Sequence, residues 1–316
     1  MPNPTEALPT LFQGLWKRYT DSEEGSGPIP ELGIAPHVQQ SSENGQYQVL
    51  NTRLWYNAKE QNAGPGSFDG SMREFQDLTY DTLATALRPF RSTPCRVTKS
   101  IREMLESSNP DLRVLDTARE LVERSLRGRL AEEILTSVQA LTDTGTLDLS
   151  NAATDVGKTL AEKADDRQET TGARPTTFCI GRRALTRLKT NNNKIQAFVG
   201  SAGVGGATVG MVSDQAVRSY FREIVDVDLI VIDRVVGSAA GAAGFQWGTT
   251  AFFGVVGQGE MPSCLKTCSP NANLFEMYVD DLPAYMGGPG QVFSAKGLID
   301  VVTADDNLGT DYTLTL

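Results

Sequence analysis

The sequence predicts an α+β fold with an extended first half and a compact second half. Three observations carry this. Apolar residues recur every three or four positions through 109–141. Strand-like and helix-like segments interleave beyond residue 150. Ahead of the long run stand a proline-punctuated stretch, a ribbon-like stretch without one clean apolar face, an extended segment and a short helix.

In the long run, Leu112, Leu115, Ala118, Val122, Leu126, Leu130, Ile134, Val138 and Leu141 fall on one helical face, with charges of both signs between them. Asn109 suits the cap, Pro110 the first turn and Asp111 the positive end of the dipole. The stop signal is Thr142-Asp143-Thr144-Gly145. Such a helix is about 48 Å long, more than a compact domain needs, so an elongated subunit is expected. Gly128 is the weak point, where bending is expected.

The chain has 316 residues, enough for about two domains. Its apolar content of 40% and charged content of 22% fit a folded protein. The net charge of −10 argues against a protein built to grip nucleic acid through its phosphates. Residues 1–6 lack a basic stretch leading into an apolar one, so no secretion signal is expected. The uncharged windows 195–213 and 235–259 are rich in glycine and read as loops and buried strands, not membrane spans.

Residues 1–41 read as an arm that needs another surface, with Leu11, Phe12, Leu15 and Trp16 its one apolar cluster. Residues 46–56 are strand formers with mixed faces, suggesting a projecting ribbon. Its tip carries Gly64-Pro65-Gly66 and Asp69-Gly70. Residues 71–80 fit a return strand or a short helix. Residues 82–98 read as extended, with Pro89 and Pro94 restricting them to edge pairing. A short helix at 100–107 leads into the long one.

Further on, helices are expected at 155–164, 182–190 and 214–225, the last with Val217, Tyr220, Phe221 and Ile224 inward. Strands are expected at 175–180, 228–236, 245–256, 274–279 and 292–302.

The candidate chemistry is thin. Val156-Gly157-Lys158-Thr159 resembles the end of a phosphate-binding loop, but Ala152 stands where the motif needs glycine, so a helix start is the simpler reading. The glycines from Gly200 to Gly206 fail the dinucleotide spacing, because Thr208 occupies the third position. Cys264 and Cys268 have metal-like spacing but no second pair, and His37 is the single histidine. Free thiols, no metal and no triad are expected. The acid pairs Asp165-Asp166, Asp280-Asp281 and Asp305-Asp306 read as surface. Neither a catalytic residue nor a cofactor is expected.

The order of segments carries a resemblance. Leu87-Arg88-Pro89-Phe90 through Val97-Thr98-Lys99 looks like a strand joining an extended loop to a spine helix, and 101–105 with 112–135 like a short helix and that spine. Pro175 through Leu185 looks like a strand–helix step, and 228–233 with Gln246-Trp247-Gly248 and Phe252 like the paired strands after it. Over about 40–257 the chain resembles the major capsid proteins of tailed bacteriophages, whose fold is shared with encapsulins and herpesvirus capsid floors.

The resemblance implies an N-terminal arm (1–41), an extended β-ribbon loop (42–81), a peripheral domain (82–150 and 272–316) with a spine helix at 110–141, and an axial domain (151–271). It implies a non-enzymatic virion shell protein, assembled in the host cytoplasm as pentamers and hexamers. Portal, scaffolding or decoration proteins would be its partners, with packaged double-stranded DNA on the inner surface and no membrane. The negative charge suits a wall that encloses DNA without adhering to it. Candidate inter-subunit contacts are Trp55, Lys59, Gly64, Pro65, Phe68 and Asp69 in the ribbon and Trp16 in the arm. Some relatives cross-link a loop lysine to a neighbour's asparagine, and Lys59 is the lysine placed for that. An encapsulin-like compartment shares the fold. A soluble α/β enzyme using a nucleotide through Lys158 is the alternative from another class.

Overall fold

The computed structural model of the protein describes residues 29–40, 44–50, 80–97, 112–201, 212–237, 243–258, 261–271, 274–281 and 291–316. The long helix, α1, spans Leu112–Gln139 without a break, about 42 Å. Ala118, Val122, Leu126, Leu130, Ile134 and Val138 form its buried row, continued by Leu141 just past its end. These are seven of the nine positions predicted by the periodicity, and the side chains of the other two, Leu112 and Leu115, lie outside the description. Gly128 does not interrupt the helix. Residues 98–111, with the expected short helix and N-cap, lie outside the described residues.

Before α1 come β1 (His37–Gln39), β2 (Asn44–Leu50), β3 (Tyr80–Ala86), β4 (Arg88–Arg91) and β5 (Cys95–Val97). After it come β6 (Thr144–Asp148), α2 (Val156–Thr171), β7 (Thr177–Gly181), α3 (Arg182–Asn191), α4 (Asn193–Ser201), α5 (Asp214–Ile224) and β8 (Asp228–Ile232). Then follow β9 (Val235–Gly237), β10 (Ala243–Phe245), β11 (Thr250–Gly254), β12 (Leu265–Ser269), β13 (Glu276–Asp281), β14 (Gln291–Thr303) and β15 (Gly309–Thr315).

The floor under α1 is a sheet built around β14. The N-terminal half of β14 pairs with β13 and β5, its C-terminal half with β12 and β4, and β1 adds to β12 in parallel. Phe293, Ala295 and Ile299, two or four positions apart on β14, join the α1 row in one apolar cluster. On the other face Lys296 Nζ sits 4.3 Å from the centre of the Tyr278 ring.

A five-stranded sheet, in the order β6-β15-β11-β7-β8, is buried on both faces. Phe178, Ile180, Ala251, Phe253, Tyr312 and Leu314 pack with apolar residues of α2–α5. Cys179 and Phe252, which alternate with them, belong to the α1 cluster. Double burial explains why β7 and β11 read as unbroken apolar runs. The sheet draws strands from 144–148 and 309–315 as well as from the segment between.

Several elements differ from the sequence reading, each for a local reason. Residues 29–40, read as the end of the arm, run along the body: Ile34 and Ala35 are fully buried, and Thr267 donates through N to Pro36 O and through Oγ1 to Ala35 O. The stop signal after α1 already contains the start of β6. Helix α2 runs past residue 164 to Thr171, where Gly172 at φ 77° caps it. The segment 195–213 begins inside α4, because the Asn192 side chain accepts from Lys194 N and Ile195 N. Its remainder, 202–211, lies outside the described residues. The expected strands 228–236 and 245–256 are each split, the first at Asp233-Arg234 and the second where Trp247 turns fully inward. Ile224 on α5 is exposed, not inward. Strands β1, β12 and β15 were not predicted.

Candidate assembly surface

Strands β2 and β3 form a two-stranded antiparallel sheet of their own, from Asn44↔Ala86 to Leu50↔Tyr80. β2 overlaps the first expected leg at 46–50, while β3 lies in the segment read as extended, and the expected return leg at 71–80 lies, but for Tyr80, outside the described residues. Trp55, Lys59, Gly64, Pro65, Phe68 and Asp69 on its tip, and Trp16 in the arm, lie outside the described residues. The ribbon meets the body at its base. Thr85 Oγ1 donates to Gln40 Oε1 at 3.1 Å. Just beyond, Arg88 faces Asp300 of β14 at 3.7 Å and Glu133 of α1 at 3.9 Å. Burial raises the Asp300 carboxyl above its ordinary value, and the Arg88 charge pulls the other way. The ribbon therefore starts from a junction of sheet and spine.

The outward side of α1 borders a cleft of about 1040 Å³, lined among others by Pro30, Glu31, Leu121, Arg129, Arg234 and Val236. Arg234, in the turn between β8 and β9, reaches across it. Its Nη2 donates to Arg124 O at 2.7 Å, and its Nη1 lies 3.8 Å from the buried Glu31 carboxylate. Glu123 and Arg127 pair beside them at 2.6 Å. Burial pushes the Glu31 carboxyl above the usual glutamate value, more than the charges of Arg234 and Arg127 pull it down. Burial likewise lowers Arg234, against the charge of Glu31.

A second network holds the C-terminal end of the spine. Asp143, just after α1, accepts from Lys163 Nζ at 3.0 Å, from Thr310 Oγ1 at 2.8 Å and from Arg167 Nη2. Arg167 also donates to Asn307 O and, at 2.6 Å, to Thr310 Oγ1. Asp306 accepts from Thr142 N at 3.1 Å and from its hydroxyl. Burial pushes Asp143 up, but hydrogen bonds from Lys163 and Thr310 and the charges of Lys163 and Arg167 hold it below the usual range. The spine end, α2 and β15 are thus one unit.

The motifs singled out in the sequence have structural roles. Asp155 Oδ1 caps α2 by accepting from Lys158 N at 3.0 Å, and the Lys158 side chain points outward, 3.7 Å from Glu162. A Cβ at Gly157 would run into the Tyr220 hydroxyl, which explains that glycine without a phosphate. Cys264 lies in the α1 cluster and Cys268 in a separate apolar cluster with Val38 and Val302. All four cysteines are unpaired, and burial drives Cys264 far above and Cys268 up to about 11. Among the described residues no group of three His, Cys, Asp or Glu could hold a metal, and no helix is long and apolar enough to cross a membrane. Of the acid pairs, Asp165 binds Arg174 and Asp305 caps the turn Asp306–Leu308. The side chains of Asp280 and Asp281 lie outside the description. Sequence reasoning missed Glu31, Arg234, Asp143 and Arg167. Only Arg167 leaves a trace there, as a charge in the Leu160, Ala164, Thr171 face of α2.

A spine helix over a β14-centred sheet, a doubly covered five-stranded sheet and a rooted ribbon have a counterpart among solved structures. A phage-related protein from Bordetella bronchiseptica RB50 superposes with a TM-score of 0.64 over 92% of this chain and 93% of its own, at 14% identity. The capsid of cyanophage P-SCSP1u matches with a TM-score of 0.52 over 92% and 88%, at 7% identity. The protein has a phage capsid fold. The same capsid fold extends to a virus-like particle from Pyrococcus furiosus, with a TM-score of 0.50 over 89% and 91% at 12% identity. No family model and no curated protein matches the sequence, so the capsid fold is visible here in three dimensions rather than in residue identities.

Proposed function

We propose that this chain is a shell subunit, the major capsid protein of a tailed phage. It would assemble as pentamers and hexamers into an icosahedral head around double-stranded DNA. The observation that carries the reading is the β2–β3 ribbon, which among the described residues pairs with no strand of the body and meets it beside Gln40 in a phage capsid fold. A lone two-stranded ribbon is marginal in water, and a neighbouring subunit supplies the missing surface. We assign the neighbour contacts to Trp55, Lys59, Gly64, Pro65, Phe68 and Asp69, the spine and β14 sheet to the periphery, and the five-stranded sheet with α2–α5 to the axial part. The axial part then takes β6 and β15 from the expected peripheral segments 82–150 and 272–316, and the periphery takes β12 from the expected axial segment 151–271. Portal, scaffolding and decoration proteins are its further partners.

An encapsulin-like compartment is the second reading, since the capsid fold is equally compatible with it. Nuclease-treated particles from expressing cells separate the two. Protected double-stranded DNA in particles made beside the packaging machinery supports the phage head. A uniform protein cargo without DNA supports the compartment.

A further inference from the structure

The cleft beside α1 presents an unfinished surface. Leu121 is 52% exposed, Val235 54% and Val236 46%, three of the few large apolar residues so exposed, and all three line it. Two acceptors in its wall, Glu31 Oε2 and Gln246 Oε1, are buried and have no hydrogen-bond partner among the described residues. On its rim Arg124 and Arg129 are exposed and make no ion pair with a described residue. An occupant must therefore bring apolar side chains, a hydrogen-bond donor and acids.

We propose that residues 8–24 of the same chain occupy this cleft. The segment carries Leu11, Phe12, Leu15 and Trp16, then Lys17 and Arg18 as donors, then Asp21, Glu23 and Glu24 as acids. The apolar four have the spacing of a helical face that lies in a groove. Connectivity favours the chain's own segment, because Pro30 and Glu31 already form part of the wall. From Trp16 to Pro30 the chain reaches up to about 45 Å, as far as the whole of α1. A short tether of this kind gives a local concentration on the order of mM, which a neighbour's segment must outcompete. This assigns Trp16 to its own subunit. It goes beyond the shell reading and does not require it.

The test replaces Val236 by photoreactive p-benzoylphenylalanine in the full chain. That chain is co-expressed with a copy lacking the reactive residue and carrying Ser22→Thr as a mass tag. Irradiation, digestion and mass spectrometry should find cross-links within 8–24 on peptides without the tag. Substituting Leu11→Ser and Trp16→Ser should lower the yield more than ~10-fold, since one large apolar side chain is worth about that factor. The thermal midpoint of the body should stay unchanged. Cross-links to tagged peptides, to another segment or to nothing overturn the proposal, as does a yield indifferent to the two serines. Electron microscopy of the same samples reads shell formation separately, so either idea can fail alone.

Discussion

Arg234 donates from Nη2 to the main-chain oxygen of Arg124 at 2.7 Å, in the middle of the long helix. The guanidinium lies over Gly128, one turn on. A Cβ at 128 would lie 3.6 Å from that Nη2, an ordinary contact distance. Gly128→Ala should keep the bond and gain helix propensity, about 1 kcal/mol of stability and a midpoint higher by a few °C. Gly128→Leu should displace the guanidinium and lower the midpoint. Calorimetry of both variants checks this, and a destabilised alanine variant would count against the packing described.

Gly181 is a harder constraint. It ends β7 and begins α3, and a Cβ there would run into the main-chain oxygen of the fully buried Trp247. Backbone cannot yield as a flexible side chain can. Gly181→Ala should cost at least ~2 kcal/mol, measured by denaturant titration. An unchanged midpoint would show that β7 and residue 247 are further apart than described.

The Asp143 network predicts an acid-sensitive spine end. Asp143→Asn leaves Arg167 buried beside a weaker partner, at a cost of about 2 kcal/mol, below the value for a fully buried pair because Asp143 is partly exposed. The folded carboxyl titrates below its unfolded value of 3.8. Its contribution is therefore complete above that value and is lost as the pH falls through the depressed folded one. Stability curves of wild type and D143N should converge at the lowest pH. Parallel curves would remove Asp143 from the account.

Glu31 has the opposite sign. Its folded pKa lies above the unfolded 4.5, so its contribution is complete below 4.5 and is lost as the pH rises through the raised value. Glu31→Gln should flatten the stability profile in that window and leave the acid limb governed by Asp143 intact. A profile of unchanged shape would place Glu31 in water rather than against the spine.

The legible parts of the fold were those where one physical demand dominates. The seven-residue buried row from Ala118 to Leu141 follows from one helical face packed on apolar residues of both sheets, and β7 and β11 from burial on both sides. Strand β12 was hidden because Leu265–Ser269 includes Lys266, Thr267 and Ser269, polar residues that are nonetheless buried. The Lys266 ammonium donates to Met261 O at 2.8 Å, a bond that no periodicity reveals. Strand β6 buries only Leu147 and so lacks a pattern. The Glu31–Arg234 pairing joins segments far apart in the chain, with nothing local to announce it. The first ribbon leg was legible at 46–50 through its missing apolar face.

Closure of this fold into a shell is read from the mass of the purified 316-residue chain. Mass photometry with negative-stain microscopy should show closed particles of megadalton size, or pentamers and hexamers that convert to them. A stable 34.2 kDa monomer at every concentration and salt would contradict the account.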